Sequence, residues 1–524
     1  MRPTRTFRRL PALLALCLVV LAPTFAYGHA ERPTLSPARP GSVPNAARIA
    51  RQSPVLDVCK SKIGGRWECR YRHIQQAVTA APNGALIRIW PGLYREEPSR
   101  AVPAGKPDNP DGTFSFEYHQ KNPNAENLIA IVGKKNITLL GMGRKPRDVV
   151  IDAGFEKHVG IRGDRSDGII IKNLSVWHAY DHGVYILDTS GWLIDRVVSG
   201  YSREYAFLTF GNDHGLQRYC EATGSGDGGI YPGSSADDAN GGLGRHSTEI
   251  HHCKSYHNAL GYSGTQGDNV WVHHNQFYDN GIGFVTDSET DHPNYPQNDL
   301  TFENNVVHDN NFNPYLETSD IKATVFEGTA LIPVGVGVLI ASGNDNLVQN
   351  NQIWGHGRFG VWFMNGVGLV LGPISEPAAP PFFSSNNRFL ANRMFPPRGV
   401  NGEGNDVDFG WDGLGFNNCW EDNARDAGGT PATSDAPMLP PCDVPVVSGA
   451  TPHGVPYPIN LMHQGMLIRD DDNVPLCWTF GVDPCLWGPG PDPKNARNLP
   501  EGMRVEWPKP PVCGPLTCRT VLSR

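Results

Sequence analysis

Asp181-His182-Gly183-Val184-Tyr185 is followed by Glu204-Tyr205-Ala206-Phe207-Leu208 and then by Asp227-Gly228-Gly229-Ile230-Tyr231. The three stretches lie 23 residues apart, and each begins with an acidic residue. Further copies stand at Gly261-Tyr262-Ser263, Gly283-Phe284-Val285, Gly337-Val338-Leu339 and Gly360-Val361-Trp362, with spacings of 22 or 23 wherever no insertion intervenes. A period of this length defines a solenoid, in which each coil buries its apolar positions only against its neighbours. Residues one period apart in sequence therefore become neighbours in space.

Working outward, the period assigns faces, because alternate side chains of a strand point in and out and stacked strands sit about 4.8 Å apart. Val184, Phe207, Ile230, Tyr262, Phe284, Val338 and Val361 form one inward column, and Ile186, Thr209, Ile340 and Phe363 form another. A third column joins Leu174, Val197, Cys220 and Cys253, which places the two cysteines within disulfide reach. Asn173, Asn275, Asn304, Asn305, Asn350 and Asn351 recur where the strands turn. There asparagine tolerates left-handed backbone and its amides can stack.

The ends of the chain read differently. Arg2, Arg5, Arg8 and Arg9 precede an apolar run over 10–26, so residues 1–30 read as a secretory signal, and 31–58 as a flexible leader. Removing the signal leaves ten of the eleven cysteines, an even number that suits an exported, disulfide-bonded protein. Cys59 and Cys69 bracket a short loop as a further expected pair. Residues 98–127 read as a long loop, and 73–81 as a helix halted by Pro82-Asn83-Gly84, with a strand over 85–90 and a turn at Pro91-Gly92-Leu93-Tyr94.

That helix, glycine turn, strand and Pro-Gly-x-Tyr segment, together with the repeats, resembles the opening of the pectin-lyase-like right-handed parallel β-helix superfamily. The resemblance covers residues of about 70–420 and implies a helix capping the first coil. The expected fold is all-β: a right-handed parallel β-helix over 59–420 with an N-terminal capping helix. A Pro- and Cys-rich, loop-rich extension follows over 421–524. Activity is not implied as tightly, because the fold hosts lyases, hydrolases, esterases, epimerases and inert fibres.

Charged residues make up 19% of the chain and the formal charge is −8, a balance that argues against a nucleic-acid binder, which would want a basic stripe. The expected partner is a polysaccharide or cell-surface glycan. The expected protein is a secreted monomer, with no membrane contact after signal cleavage.

Asp181, Glu204 and Asp227 are the sharpest candidates for chemistry, since the register puts three carboxylates in consecutive coils about 5 Å apart. Such repulsion has three resolutions: a hard cation, with Ca2+ as the candidate cofactor; a shared proton with acid–base roles; or solvation beside Arg203. His182, His214 and Arg203 are candidate base or acid groups, and Arg218 a substrate anchor. Tyr185, Tyr231 and Trp362, expected to face outward, would be sugar platforms. The loop 286–292 carries Asp287, Glu289, Asp291 and His292, and His251, His273 and Glu303 share an outward column that could take a metal. Asp237-Asp238 and Gly355-His356-Gly357 match polygalacturonate-hydrolase signatures, but in the wrong context. Two functional classes follow: a carbohydrate-active enzyme of the lyase or glycoside hydrolase type, or a non-catalytic glycan-binding or adhesive scaffold.

Overall fold

The computed structural model describes residues 42–60, 69–96, 114–235, 246–288, 292–314, 316, 318–324, 334–364, 384–411, 415–434 and 439–442. The signal segment, Asp237, Asp238, Glu289, Asp291, Cys477, Cys485, Cys513 and Cys518 lie outside them. Among the described residues, every paired strand of the two sheets runs parallel to its neighbours, in a nineteen-stranded and a ten-stranded sheet.

Each coil contributes to three faces. The first two belong to the longer sheet, which bends because one residue per coil adopts left-handed backbone. These residues are Asn173, Arg196, Tyr219, His252, His274, Asn304 and Asn350, with φ between 51° and 56°. The strands Ile169–Trp177 and Ser190–Gly200 run continuously through this bend. The third face is the ten-stranded sheet, which includes His182–Leu187, Phe207–Phe210 and Gly228–Gly233. The fold is thus the right-handed parallel β-helix expected from the repeat.

The expected register holds residue by residue. Val184 pairs with Phe207, Phe207 with Ile230, Ile230 with Tyr262, Phe284 with Val338 and Val338 with Val361. The rings of Tyr262 and Phe284 stack at 4.1 Å, and one apolar core runs from Leu56 to Trp420. Val197 pairs with Leu174, and the next two rungs of that column are closed by the Cys220–Cys253 disulfide. Cys59–Cys69 forms as expected, and Cys419–Cys442 joins the last rung to the following segment.

Buried asparagines form ladders inside the coils. Asn275, Asn305, Asn351, Asn392 and Asn423 each pass an amide hydrogen to the Oδ1 of the next. A second ladder joins Asn258, Asn280 and Asn310 to His356 and Asn405. Gly355-His356-Gly357 therefore contributes a buried ladder rung. The sequon residues Asn136 and Asn173 are also held, the first accepting from Arg48 and the second donating to the carbonyls of Gly141 and Gly143.

Three boundaries differ from expectation. The leader is ordered at its end: a 3-10 helix spans Ala46–Arg51, and strand Val55–Val58 pairs with Leu86–Ile89. Its Pro/Ala/Arg composition hid the anchor, in which Arg48 bonds Asn136 and the carbonyl of Gly168. The segment read as a loop contains helix Phe116–Lys121, with Ser115 as its N-cap. At the far end the stack continues past 420, since Ser434 bridges to Phe409 and Leu439 packs on the core. The capping helix, Ile74–Ala80, buries Ile74, Ala77 and Val78 over the first coil, as expected. Among the described residues no helix is long and apolar enough to cross a membrane.

Candidate functional site

The three acidic residues occupy one column at the start of the third face. The N–H of Glu204 donates to the carbonyl of Asp181 at 3.0 Å, and that of Asp227 to the carbonyl of Glu204 at 3.1 Å. The N–H of Asp181 donates in turn to the carbonyl of His158 at 2.9 Å, so His158 is the rung before them. Glu204 and Asp227 are buried, at 4% and 8% exposure, while His158 and Asp181 are half-buried.

Imidazole and phenol groups meet these carboxylates. His158 Nδ1 pairs with Asp181 Oδ2. His182 Nδ1 lies 3.4 Å from Glu204 Oε2, and the Tyr205 hydroxyl donates to Asp227 Oδ2 at 3.3 Å. Each acid thus meets a proton-carrying group from the coil before it. Stacking the coils places His182 over Tyr205 at 5.5 Å, and Tyr205 beside Tyr231 at 4.5 Å. Like charge on neighbouring coils is separated by groups able to take or give a proton, an arrangement suited to acid–base chemistry.

The adjoining column is cationic. Arg203 donates to the Tyr180 hydroxyl at 2.8 Å and lies 5.0 Å over its ring. Lys157 is buried against the carbonyls of Asn124 and Ala125, and burial pushes its ammonium down to about 8. Further along the same corner, Asp320 Oδ1 and Asp279 Oδ2 grip the two nitrogens of His257 at 2.7 and 2.8 Å. Burial opposes the charge on His257, but these hydrogen bonds outweigh it and hold the imidazole up at about 9. The segment around Asp320 ends in the 3-10 turn Lys322–Thr324, and a β carbon on Gly226 would collide with the Thr324 carbonyl. That glycine lets the turn close over the corner beside Asp227.

Asp181, Glu204, Asp227, His182 and Arg203 are therefore brought together. His214 and Arg218 are not. They lie on strand Asp213–Arg218 of the first face, beyond the opposite end of the third-face strand. There His214 Nδ1 contacts Asp213 at 3.1 Å, and Arg218 pairs with Asp195 at 3.2 Å. The sugar-platform positions are also corrected. Tyr185, Tyr231 and Trp362 point away from the solenoid axis but are 0%, 1% and 1% exposed. Tyr185 and Tyr231 cluster with Val159, Leu187, Tyr205, Leu208 and Phe210, because the outer surface of this face is covered. Arg165 lies 4.4 Å over Phe116 and His292 packs 5.9 Å from Phe210 along that side.

No group of three or more His, Cys, Asp or Glu side chains converges on a metal position among the described residues. The ladder carboxylates turn toward His158, His182 and Tyr205 instead, a set that does not fit the all-oxygen shell of Ca2+. In the His251 column, Glu303 accepts from Trp271 and Gln349 at 2.9 and 2.7 Å, which draws it away from the histidines. Asp287 is sunk where burial raises its carboxyl, with Thr265 and His292 nearby. His158 and Tyr205 went unrecognised in the sequence. The sign was present: Lys157-His158-Val159-Gly160 stands 23 residues ahead of Tyr180-Asp181-His182-Gly183.

Residues 159–368 match the family described as right handed beta helix region. Coil stack and match together define the fold, a right-handed parallel β-helix. Among solved structures, the chain is similar to the mannuronan C-5 epimerase AlgE4 A-module of Azotobacter vinelandii. Identity is 16% over 67% of this chain and 88% of that one, with a TM-score of 0.39. It is also similar to pectate lyase Pel9A, at 13% identity over 73% and 78% of the two chains and a TM-score of 0.31. An alginate lyase from Paenibacillus sp. str. FPU-7 is similar at 13% identity over 69% and 96%, with a TM-score of 0.32. At this identity the likeness assigns no residue of this chain a role. No curated protein matches the chain.

Proposed function

We propose that the protein is a secreted, carbohydrate-active β-helix that acts on an extracellular polysaccharide at the ladder of His158, Asp181, His182, Glu204, Tyr205 and Asp227. One observation carries the reading: each ladder carboxylate meets an imidazole or phenol from the preceding coil. Pairs of this kind support lyase-type elimination better than hydrolysis. Elimination needs a base for the proton beside a uronate carboxylate, an acid for the leaving oxygen and a cation near the carboxylate. His158 and Asp181, the half-exposed pair of the ladder, would serve in the first two roles and Arg203 in the third, with His182 and Tyr205 buried behind them. A hydrolase would instead use two of the carboxyls with water between them. The disulfides fit the oxidising compartment that the reading requires.

The covered aromatic positions favour a second reading, a non-catalytic cell-surface scaffold, since they leave Tyr185, Tyr231 and Trp362 no face for a sugar. The purified protein, incubated with uronate-rich and neutral polysaccharides with and without chelator, separates the readings. Ultraviolet-absorbing unsaturated ends identify a lyase, and new reducing ends without that absorbance identify a hydrolase. Absence of turnover across the panel identifies the scaffold and ends the catalytic proposal.

A further inference from the structure

Away from the acidic ladder, the corner between the first and second faces carries two His-His dipeptides in consecutive coils, His251-His252 and His273-His274. Adjacent residues of a strand normally point to opposite faces. Here the second histidine of each pair is the left-handed corner residue, with φ of 55° and 56°, which turns both imidazoles to one side. His251 Nδ1 lies 2.7 Å from His252 Nδ1, and His273 Nδ1 lies 2.8 Å from His274 Nδ1. The register stacks His251 on His273 at 5.1 Å and His252 on His274 at 5.4 Å, the latter rings only 3° from parallel.

The far nitrogens are also provided for. Glu249 Oε1 lies 3.2 Å from His273 Nε2 and 3.8 Å from His251 Nε2. A carboxylate there favours the Nε2–H tautomer, which leaves the Nδ1 lone pairs aimed at the neighbouring ring, as outer carboxylates do for metal-bound histidines. The fold itself does not ask for histidine at the corner, since Asn173, Asn304 and Asn350 fill the same position in other coils. His252 and His274 are exposed, so an ion from solvent can reach them.

We propose that these pairs form a surface site for a divalent late transition ion, each pair supplying two nitrogen ligands and water completing the shell. Two nitrogens about 2.0–2.1 Å from an ion lie roughly 2.9 Å apart in cis positions of a tetragonal shell, but about 3.3 Å apart in a tetrahedral one. Separations of 2.7 and 2.8 Å therefore favour Cu2+ or Ni2+ over Zn2+. A shared N–H···N hydrogen bond fits the same distance, and in that case the ion would replace the proton.

The test is titration of the metal-free full chain with CuCl2, followed by calorimetry and electron paramagnetic resonance, beside H252N/H274N. Asparagine keeps the left-handed corner and removes the imidazole. The expected result is nitrogen-coordinated Cu2+ in the unsubstituted chain and a loss of affinity of roughly 100-fold in the double variant, as removal of half the ligands implies. The single variant H252N, which leaves the second pair whole, should keep one of the two paired sites. Equal affinity in the double variant, or no nitrogen-bound copper in the unsubstituted chain, overturns the assignment.

Discussion

Acidification should loosen the coil stack at one buried imidazole, His356, which is 1% exposed in a ladder otherwise built from asparagine. Its Nε2 lies 3.1 Å from Asn310 Nδ2 and its Nδ1 lies 2.8 Å from Asn405 Oδ1. An amide nitrogen donates and an amide oxygen accepts, so this network requires the neutral Nδ1–H tautomer. Protonating Nε2 would set two donors against each other at the Asn310 contact. Burial accordingly pushes the imidazole down to about 4, against an ordinary 6.5. The unfolded chain then binds the proton first as pH falls, so stability is full above pH 6.5 and declines until about pH 4. At 1.36 kcal/mol per pK unit the full loss is about 3 kcal/mol. The variant H356N removes the titrating group and offers the amide that neighbouring rungs use, at a packing cost of about 1 kcal/mol. Urea unfolding of both proteins, followed by circular dichroism between pH 7 and pH 4, should show their stabilities converging or crossing on acidification. Parallel curves would refute the assignment of His356 as a neutral rung.

Replacing Glu204 with Gln should lower any polysaccharide turnover by roughly 10²- to 10⁴-fold, with circular dichroism unchanged. Turnover at the original rate would remove Glu204 from the chemistry. Asn305→Ala should cost about 2–4 kcal/mol in urea unfolding, because Asn275, Asn351 and the Val272 carbonyl all lose a buried partner. A change below about 0.5 kcal/mol would show that the ladder carries little net energy. Phe284→Ala, which empties a position stacked on Tyr262 and packed against Phe302, should cost about 3–5 kcal/mol in the same assay. The His257 clamp works with the opposite pH sense, because its pKa is raised: its contribution is complete below pH 6.5 and is lost as pH rises through about 9. Hydrogen exchange in residues 318–324 should quicken across that alkaline window, and D320N should exchange fast at all pH values.

The inward half of this structure was legible because a solenoid repeats its core every 22 or 23 residues. Val184, Phe207 and Ile230 announce one another at that spacing, and Tyr262 joins them, as Cys253 joins Cys220, once the insertion between the coils is allowed for. The outward half was not legible. Alternation tells that Tyr185, Tyr231 and Trp362 leave the sheet on its outer side. It does not tell whether a second layer lies there, and that layer comes from segments outside the period, such as those bearing Phe116 and His292. His214 was misplaced for a related reason: nearness in sequence to Glu204 spans a whole third-face strand.

Stacking also explains why the acidic column stands apart from its surroundings. A parallel coil places like beside like, so each column needs a chemistry that tolerates its own repetition. Asparagine satisfies this because each amide both donates and accepts, and Tyr256, Tyr278, His308 and Trp354 satisfy it by stacking within 9° of parallel. Charge cannot pair with itself, so the first face alternates: Asp195 sits between Lys172 and Arg218 in its column. The column at the start of the third face breaks that rule with three acids in succession, and each of them meets His158, His182 or Tyr205 from the coil before. An alternating column of fixed charges would have served stability alone. Groups that exchange protons serve it less well, and this is the physical ground for the acid–base role proposed for the column.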